Sequence, residues 1–528
     1  MKISKVVRVS FVCVVAVAFF ARAENTIGSN NILQSSLPEV QITGIQRSGT
    51  NLVLEWAANK TGLSYTVEFS TNLSDGAWSP VQPTSQWWIT CNSWTNTQEM
   101  AQGQYFKLKV QQSYADTDYW VPWVTKLTTN SATINWRGSD AGSGTVEYAT
   151  ASYYDQHHSF QQAVTSMVTG AYQHVALADL DPNAAYVYRA RPSDNTRQFS
   201  NRAFKTMPVS GPFTFLVISD SHAQEKRFKY VADAIAKYET NALFILDGGD
   251  YASKDYEGYW SFYFQYGDGM LAKFPLFHAI GNHEYHNYET NAVGPTQADQ
   301  YHWTFDVTNN GALNYSFDCA DIRFVFLNSP DPNNVNDQDP SLEHTESQVP
   351  WLTEQLNGDK LGTFTIQHHP IYNFDRSGIN ANLGPWERLY RACDISANFA
   401  GHVHSYQRFS VTGTPYFVVG NGGGIFIDMD TNAPASKYFQ YGATRQLGYL
   451  KVTVDPANNT ASAQEIFVAY VETNNSETAT VYDPPVLADT VTFPLSQKRA
   501  LTDQRPAGAR TVTPRAKLWS DAKLEASD

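Results

Sequence analysis

Residues 399–408 read FAGHVHSYQR, an apolar run that ends in a glycine and two histidines set two apart. In an extended chain, side chains at i and i+2 leave the same side of the backbone, so His402 and His404 can aim at one point. The pattern recurs upstream. FTFLVIS leads into Asp220-Ser221-His222, ALFILDG into Gly249-Asp250, FPLFHAI into Gly281-Asn282-His283-Glu284, and GTFTIQ into His368-His369-Pro370. With ISANFA before Gly401, five strand-like runs each end in polar, chemistry-bearing residues. In open α/β sheets, ligands bind beyond the carboxyl ends of the strands. The five ends are therefore expected to present Asp220, His222, Asp250, Asn282, His368, His402 and His404 to one cleft.

Carboxylates and imidazoles without a thiolate suit Mn, Fe or Zn. Seven such side chains are too many for one ion that keeps an open position. They suit two transition-metal ions about 3.5–4 Å apart that share a bridging carboxylate. A single Asp-x-His, or one surface histidine, is ordinarily a solvated side chain; five motifs in order, each at a strand end, carry the reading. Glycines 249, 281 and 401 are expected to let the chain bend where these loops leave the strands.

Outward from this core the chain divides. From 208 to 496, apolar strands alternate with helical segments, the rhythm of an α/β domain. RFKYVADAIAKY sets Phe228, Val231 and Ile235 on one helical face, and ESQVPWLTEQL reads as another helix. LGYLKVTV, ASAQEIFVAYV and DTVTFPL read as strands. Residues 24–113 alternate in a β manner, with turn residues such as Ser48-Gly49 between strands, and read as a small β-sandwich. Residues 114–207 give a second all-β unit, in which Trp136 and the segment ADLDPNAAYVYR resemble a fibronectin type III sandwich. The stretch WSPVQPTSQWWITCNSW in the first unit is either buried aromatic packing or a face for glycan or cell-surface contact. Residues 497–528 are polar and aperiodic and read as a disordered tail.

Composition sets the outer bounds. A chain of 528 residues with 42% apolar and 17% charged residues is globular and holds several domains. A net charge of −14 argues against a nucleic-acid scaffold as partner, because phosphates would be repelled. Residues 1–23 have a basic start, an apolar core and the small-residue end ARA, the pattern of a cleaved leader, so a secreted or periplasmic location is expected. That apolar core is about 12 residues long, too short for a membrane span. Past the leader, Cys91, Cys319 and Cys393 make an odd number with no spacing suited to zinc. Free buried thiols and a Cys319–Cys393 bridge both fit.

The set D-x-H, G-D, G-N-H-E, H and G-H-V-H, in this order, resembles the calcineurin-like metallophosphoesterases. AGHVHSYQR, GNHE, HHPIY, SQVPWL and VVGNGGG are similar to the purple acid phosphatase branch, as is the fibronectin-like unit in front. The resemblance covers 114–496. It implies a multidomain protein: two N-terminal all-β sandwiches, then an α/β metallophosphoesterase domain with a β-sandwich core flanked by helices. It implies that Asp220, His222, Asp250 and His404 hold a first ion, that Asp250 bridges, and that Asn282, His368 and His402 complete a second. The spacing to Pro370 favours His368 as ligand and leaves His369 beside it or on the substrate.

Two departures stand out. His222 occupies a position where purple acid phosphatases carry glycine, and Ser253 one where they carry the tyrosine responsible for their colour. The segment NFDRSGINANLG replaces the histidine pair of the plant enzymes; within it, Arg376 is either a phosphate clamp or a surface ion-pair partner.

The activity implied is that of a secreted phosphoesterase, hydrolysing phosphate monoesters by attack of a metal-bound hydroxide. His283 is the candidate acid or phosphate-binding group, with Glu284 expected to orient its ring. Alternatives are a phosphodiesterase or nucleotide-processing hydrolase, and a non-catalytic binding protein. The intact set of seven donors argues against the last.

Overall fold

The runs that end in the motifs are β-branched and aromatic, and they form strands buried on both faces. FTFLVI becomes Phe213–Ile218, ALFILD becomes Ala242–Asp247, and LFH becomes Leu276–His278. These three pair in parallel. They continue antiparallel through Gln446–Asp455, Thr460–Tyr470 and Thr480–Pro494 into a six-stranded sheet. GTFTI and ANFA form Gly362–Ile366 and Ala397–Ala400 in a second sheet. Its seven strands run in the order Tyr315–Cys319, Ile322–Phe326, Gly362–Ile366, Ala397–Ala400, Thr414–Val419, Tyr406–Val411, Phe439–Ala443.

This computed structural model describes residues 120–496 except 139–142, 167–168, 194–198, 224–225, 256, 286–297, 307–312, 335–338, 375–377, 430–431, 433 and 474–477. Before residue 120 it describes only the strands Ile3–Arg8, Gln41–Ser48, Asn51–Ala57, Leu63–Ser70, Ser79–Pro80, Ser93–Thr95 and Tyr105–Gln112.

The five motif-bearing strands therefore belong to two sheets, in keeping with the expected β-sandwich core. The sheets meet face to face over an aromatic core. Phe215 makes edge contacts to Phe324, Phe364 and Phe399 at 5.2, 5.5 and 6.0 Å between ring centroids. Such pairs contribute about 0.5–1.5 kcal/mol each beyond the area they bury. Helices cover the outer faces. Phe228–Tyr238 buries Phe228, Val231 and Ile235, the face expected from the spacing. The second sheet is covered by Val349–Leu356 and Gly384–Cys393. ESQVPWLTEQL is split between Leu342–Ser347 and Val349–Leu356, because Pro350 lacks an N–H and starts a new helix in its first turn.

Ahead of this domain, seven strands form sheets of three (Trp120–Thr125, Ala132–Arg137, Tyr172–Leu177) and four (Gly144–Thr150, Gln162–Thr165, Ala185–Pro192, Arg202–Lys205). Ile134, Trp136, Val146 and Tyr188 from both sheets share one buried core. This unit packs against the helix Glu257–Tyr266: Trp120 stacks on Phe264 at 4.5 Å and its Nε1 donates to Ser261 Oγ at 2.9 Å. Before it, the strands order as Ile3–Arg8, Tyr105–Gln112, Leu63–Ser70, Ser79–Pro80 and as Gln41–Ser48, Asn51–Ala57, Ser93–Thr95. Most of the Trp-rich stretch, Cys91 and the 497–528 tail lie outside the described residues. Cys319 and Cys393 are not joined to each other, so the bridge between them is not formed.

Candidate metal centre

All seven predicted donors converge at one end of the two sheets. Asp220, His222, Asp250 and His404 each offer a ligand atom within 4.8 Å of one another, and so do Asp250, His368 and His402. Asp250 belongs to both groups. Its Oδ2 stands 3.5 Å from His222 Nε2 and 3.1 Å from His368 Nε2. Asn282 Oδ1 lies 3.0 Å from His368 Nε2 and 3.1 Å from His402 Nδ1. Each group draws donors from both sheets: Asp220, His222, Asp250 and Asn282 follow strands of the first, and His368, His402 and His404 follow strands of the second.

The loops that carry these donors are strained. Asp220, His222, Asp250 and His402 have φ of 56°, 37°, 58° and 66°, left-handed values that L-residues avoid. Each such residue costs roughly 1–3 kcal/mol and persists only where its surroundings fix it. Here the loops lace one another. Asp220 N–H donates to the Gly249 carbonyl at 2.9 Å and His222 N–H to the Asp250 carbonyl at 3.1 Å. His402 N–H donates to both Asp220 oxygens at 2.9 and 2.8 Å.

Glu284 does much of this lacing. Its buried carboxylate accepts N–H groups from Gly281, Asp250 and Tyr251 at 2.7, 2.9 and 3.0 Å. It does not orient His283, as the adjacency in sequence suggested; that ring is held by the Ser253 carbonyl, 2.7 Å from Nδ1. Three main-chain donors outcompete one neighbouring ring for a buried carboxylate.

Ser253 positions two imidazoles. Its Oγ lies 2.9 Å from His222 Nδ1, which directs Nε2 toward Asp220, Asp250 and His404. Its carbonyl can only accept, so His283 carries its hydrogen on Nδ1. A serine and a histidine 31 positions apart that depart together from a pattern were the available signal.

His404 and His368 are oriented the same way, through the nitrogen turned from the centre. His404 Nδ1 meets the Ile425 carbonyl at 2.6 Å, and His368 Nδ1 the Gly248 carbonyl at 2.9 Å. Burial pushes His222 and His402 down to about 4, so both rings are neutral and offer a lone pair. Burial would lower His368 too, but the facing Asp250 carboxylate outweighs it and raises the ring to about 10. Burial would raise Asp220; its hydrogen bond with His404 and the nearby imidazoles hold it below the ordinary range.

The donor set fits two cations. His222 Nε2 is buried without a hydrogen-bond partner, a costly state for a ring nitrogen in a protein interior. A cation held with Asp220, Asp250 and His404 is the partner its lone pair suits.

The three motif glycines serve different needs. Gly249 takes φ of 99°, as a sharp bend requires. Gly281 and Gly401 are demanded by crowding instead: a Cβ would overlap the Asp250 carboxylate at one and the Asp220 carboxylate at the other. Gly281→Ala is therefore expected to displace Asp250 and weaken metal binding by at least about 10–100-fold, the scale seen when a ligand's support is lost. Metal content after dialysis, with an unchanged far-UV circular dichroism spectrum, checks this.

His369 is buried beside His368, with Nδ1 3.1 Å from Ser329 Oγ, and is not among the seven. His278 is buried and stacked on Phe305 at 3.8 Å, a packing role. Arg376 and His286 lie outside the described residues. No helix among the described residues is long and apolar enough to cross a membrane.

Residues 213–406 match the family model of the calcineurin-like phosphoesterases. Probable purple acid phosphatase 20 of Arabidopsis thaliana is 24% identical over 326 residues, 58% of this chain and 71% of that protein. Purple acid phosphatase 21 of the same plant is 27% identical over 278 residues, 48% of this chain and 59% of its own length. Among solved structures, PhoD aligns with a TM-score of 0.56 at 16% identity, over 74% of this chain and 92% of that one. The purple acid phosphatase PPD1 from yellow lupin (Lupinus luteus) seeds aligns with a TM-score of 0.53 at 14% identity, over 90% and 99%. At these identities the structures speak for the fold.

Proposed function

Since residues 213–406 form a calcineurin-like phosphoesterase domain with purple acid phosphatases among its relatives, we propose that this chain is a dinuclear-metal phosphatase, acting on phosphate monoesters outside the cytoplasm. The observation that carries this reading is Asp250, whose one carboxylate faces two donor groups in a buried cleft. Asp220, His222, Asp250 and His404 hold the first ion; Asp250, Asn282, His368 and His402 hold the second. When bound, the two ions supply a nucleophile from water near neutral pH and offset charge on the phosphoryl oxygens.

The chain's own residues do the rest. Two carboxylates against two divalent or trivalent cations leave the cleft positive, and the neutral Asn282 oxygen keeps it so, which attracts a phosphate ester. His283 delivers a proton from Nε2 to the leaving oxygen, with its tautomer set by Ser253. Glu284 keeps the Asp250 and Asn282 loops in register.

The domain reading accompanies this proposal. Residues 24–113 form one β-sandwich and 114–207 a fibronectin type III-like module, ahead of a catalytic domain over 208–496. The three-plus-four strand arrangement supports the second module. So does Tyr186, whose hydroxyl accepts the Asp181 N–H five residues upstream at 2.9 Å, in the manner of a tyrosine corner. The leader pattern of residues 1–23 supports export. Ile3–Arg8 lies at the edge of its sheet, so its removal leaves the other three strands paired.

Ser253 supplies no tyrosinate. The Tyr251 hydroxyl donates to the Ala279 carbonyl at 3.1 Å, and burial pushes it well above its ordinary pKa. Iron-loaded protein is thus expected to lack a strong visible charge-transfer band, and an absorption spectrum checks this; a purple preparation would put a tyrosinate on the metal.

The function is tested on freshly purified protein with metals assayed, against a panel of mono- and diesters. Monoester turnover that falls with chelation and returns with metal supports the proposal. Diester turnover alone would assign the site to a phosphodiesterase, and none on either class would sink the hydrolase reading.

A further inference from the structure

The cleft holds a third group of donors, of which the two-ion centre uses only His402. Asp339, His369 and His402 each offer a ligand atom within 4.8 Å of the others. His369 is 1% exposed, and its Nε2 is buried without a hydrogen-bond partner. That nitrogen faces Asp339 Oδ1 at 3.9 Å, beyond hydrogen-bond reach. The His369 ring lies 4.2 Å from that of His402. His402 turns Nδ1 to Asn282 at 3.1 Å, so its second nitrogen is not needed by the second ion.

We propose that Asp339, His369 and His402 form a third cation site, for a transition-metal ion such as zinc or manganese, with His402 shared between this ion and the second one as an imidazolate, its ring proton passing to solvent when the two cations bind. The proposal rests on the two-ion reading for the role of His402 Nδ1.

Three arguments carry it. The first is the orphaned nitrogen. A buried imidazole Nε2 without a partner costs free energy, and neither Asp339 at its present distance nor a nearby N–H relieves it. The second is orientation. Ser329 Oγ accepts the His369 main-chain N–H at 2.9 Å and lies 3.1 Å from Nδ1. A serine oxygen can accept both hydrogens, which leaves the Nε2 lone pair for a metal, the arrangement typical of ligating histidines. The third is spacing. Ligands at about 2.0–2.2 Å around a tetrahedral ion stand roughly 3.3–3.6 Å apart. The 3.9 Å gap closes to that with a small movement of Asp339, whose side chain is 50% exposed. The segment 327–341 that carries Asp339 also holds Asp331 and Asp337 and contains no lysine or arginine, so its charge favours a cation. Two imidazoles and a carboxylate select a transition metal over calcium or magnesium.

The test is equilibrium dialysis of the full chain against zinc, and separately manganese, with elemental analysis per mole of protein. Wild type is expected to saturate at three tightly held ions, and Asp339→Asn and His369→Gln at two. Asp339 is half-exposed, so its variant keeps the measurement meaningful should the buried His369→Gln fail to fold. Saturation of wild type at two ions, or three ions retained in Asp339→Asn, overturns the third site and leaves the two-ion centre standing. Saturation at a single ion overturns the two-ion reading and the third site together.

Discussion

Replacing Asp250 by alanine is expected to empty both ion positions at once. Its Oδ2 faces His222 Nε2 at 3.5 Å and His368 Nε2 at 3.1 Å, so one side chain serves both donor groups. The same residue also anchors the loops, because its Oδ1 accepts the His283 N–H at 3.0 Å. The loss in kcat/KM should exceed the about 10–100-fold that follows removal of a ligand's outer support. His222→Ala should behave differently. It removes one neutral donor from the first group, so that ion weakens while the second stays, and added metal should restore part of the activity. Metal content per chain and kcat/KM, measured on both variants, separate the cases. Two tightly bound ions in Asp250→Ala would remove the bridging role.

His283→Ala should split substrates by leaving group. An alkoxide cannot depart unprotonated, whereas a nitrophenolate leaves without help. General acid catalysis supplies about 10²–10⁴-fold, so alkyl phosphate hydrolysis should slow by that order and nitrophenyl phosphate by much less. Metal content should hold, since Asn282 and not His283 is placed among the donors. The measurement is kcat/KM on both esters in wild type and variant. Equal losses would mean that His283 binds the phosphate rather than donating a proton, and lost metal would place it in the support of the coordination sphere.

The strand ends were legible because each signal is local: an apolar run, then a bend, then the donors. What local sequence could not carry was the partner of each strand. Phe213–Ile218 pairs with Gln446–Asp455 on one side, more than two hundred residues away, and no local pattern tells which runs share a sheet. The β-sandwich core was for that reason legible only through the resemblance, and not from the runs themselves, although the donors at their ends meet as expected. Glu284 was misread for a related reason. Its motif neighbour is His283, but its partners at Asp250 and Tyr251 lie 34 and 33 residues earlier. The run Gly420–Gly424 was legible only as a resemblance. A Cβ at Gly422, Gly423 or Gly424 would strike the Ser219 carbonyl, the Ser221 carbonyl or the His404 ring, so these glycines let the chain press against the donor loops. Ser253 shows the limit in the other direction: a departure from pattern was visible, and the compensating contact with His222 was not.

Because each ion draws its donors from both sheets, the pair would act as a clasp across the top of the sandwich. Whatever opens the two sheets must also let go of the metal, so the affinity of the centre becomes mechanical strength of the fold. A ligand present at 1,000 times its dissociation constant adds about 4 kcal/mol to the native state. In a domain of this size each kcal/mol moves the melting temperature by about 2–4 °C, so stripping even one ion should lower Tm by on the order of 10 °C. Thermal melts before chelation, after it, and after metal is returned would show this, and a Tm indifferent to metal would mean that the sheets hold together without the clasp. In such a protein, metal supply sets how long the fold survives as well as how fast it works.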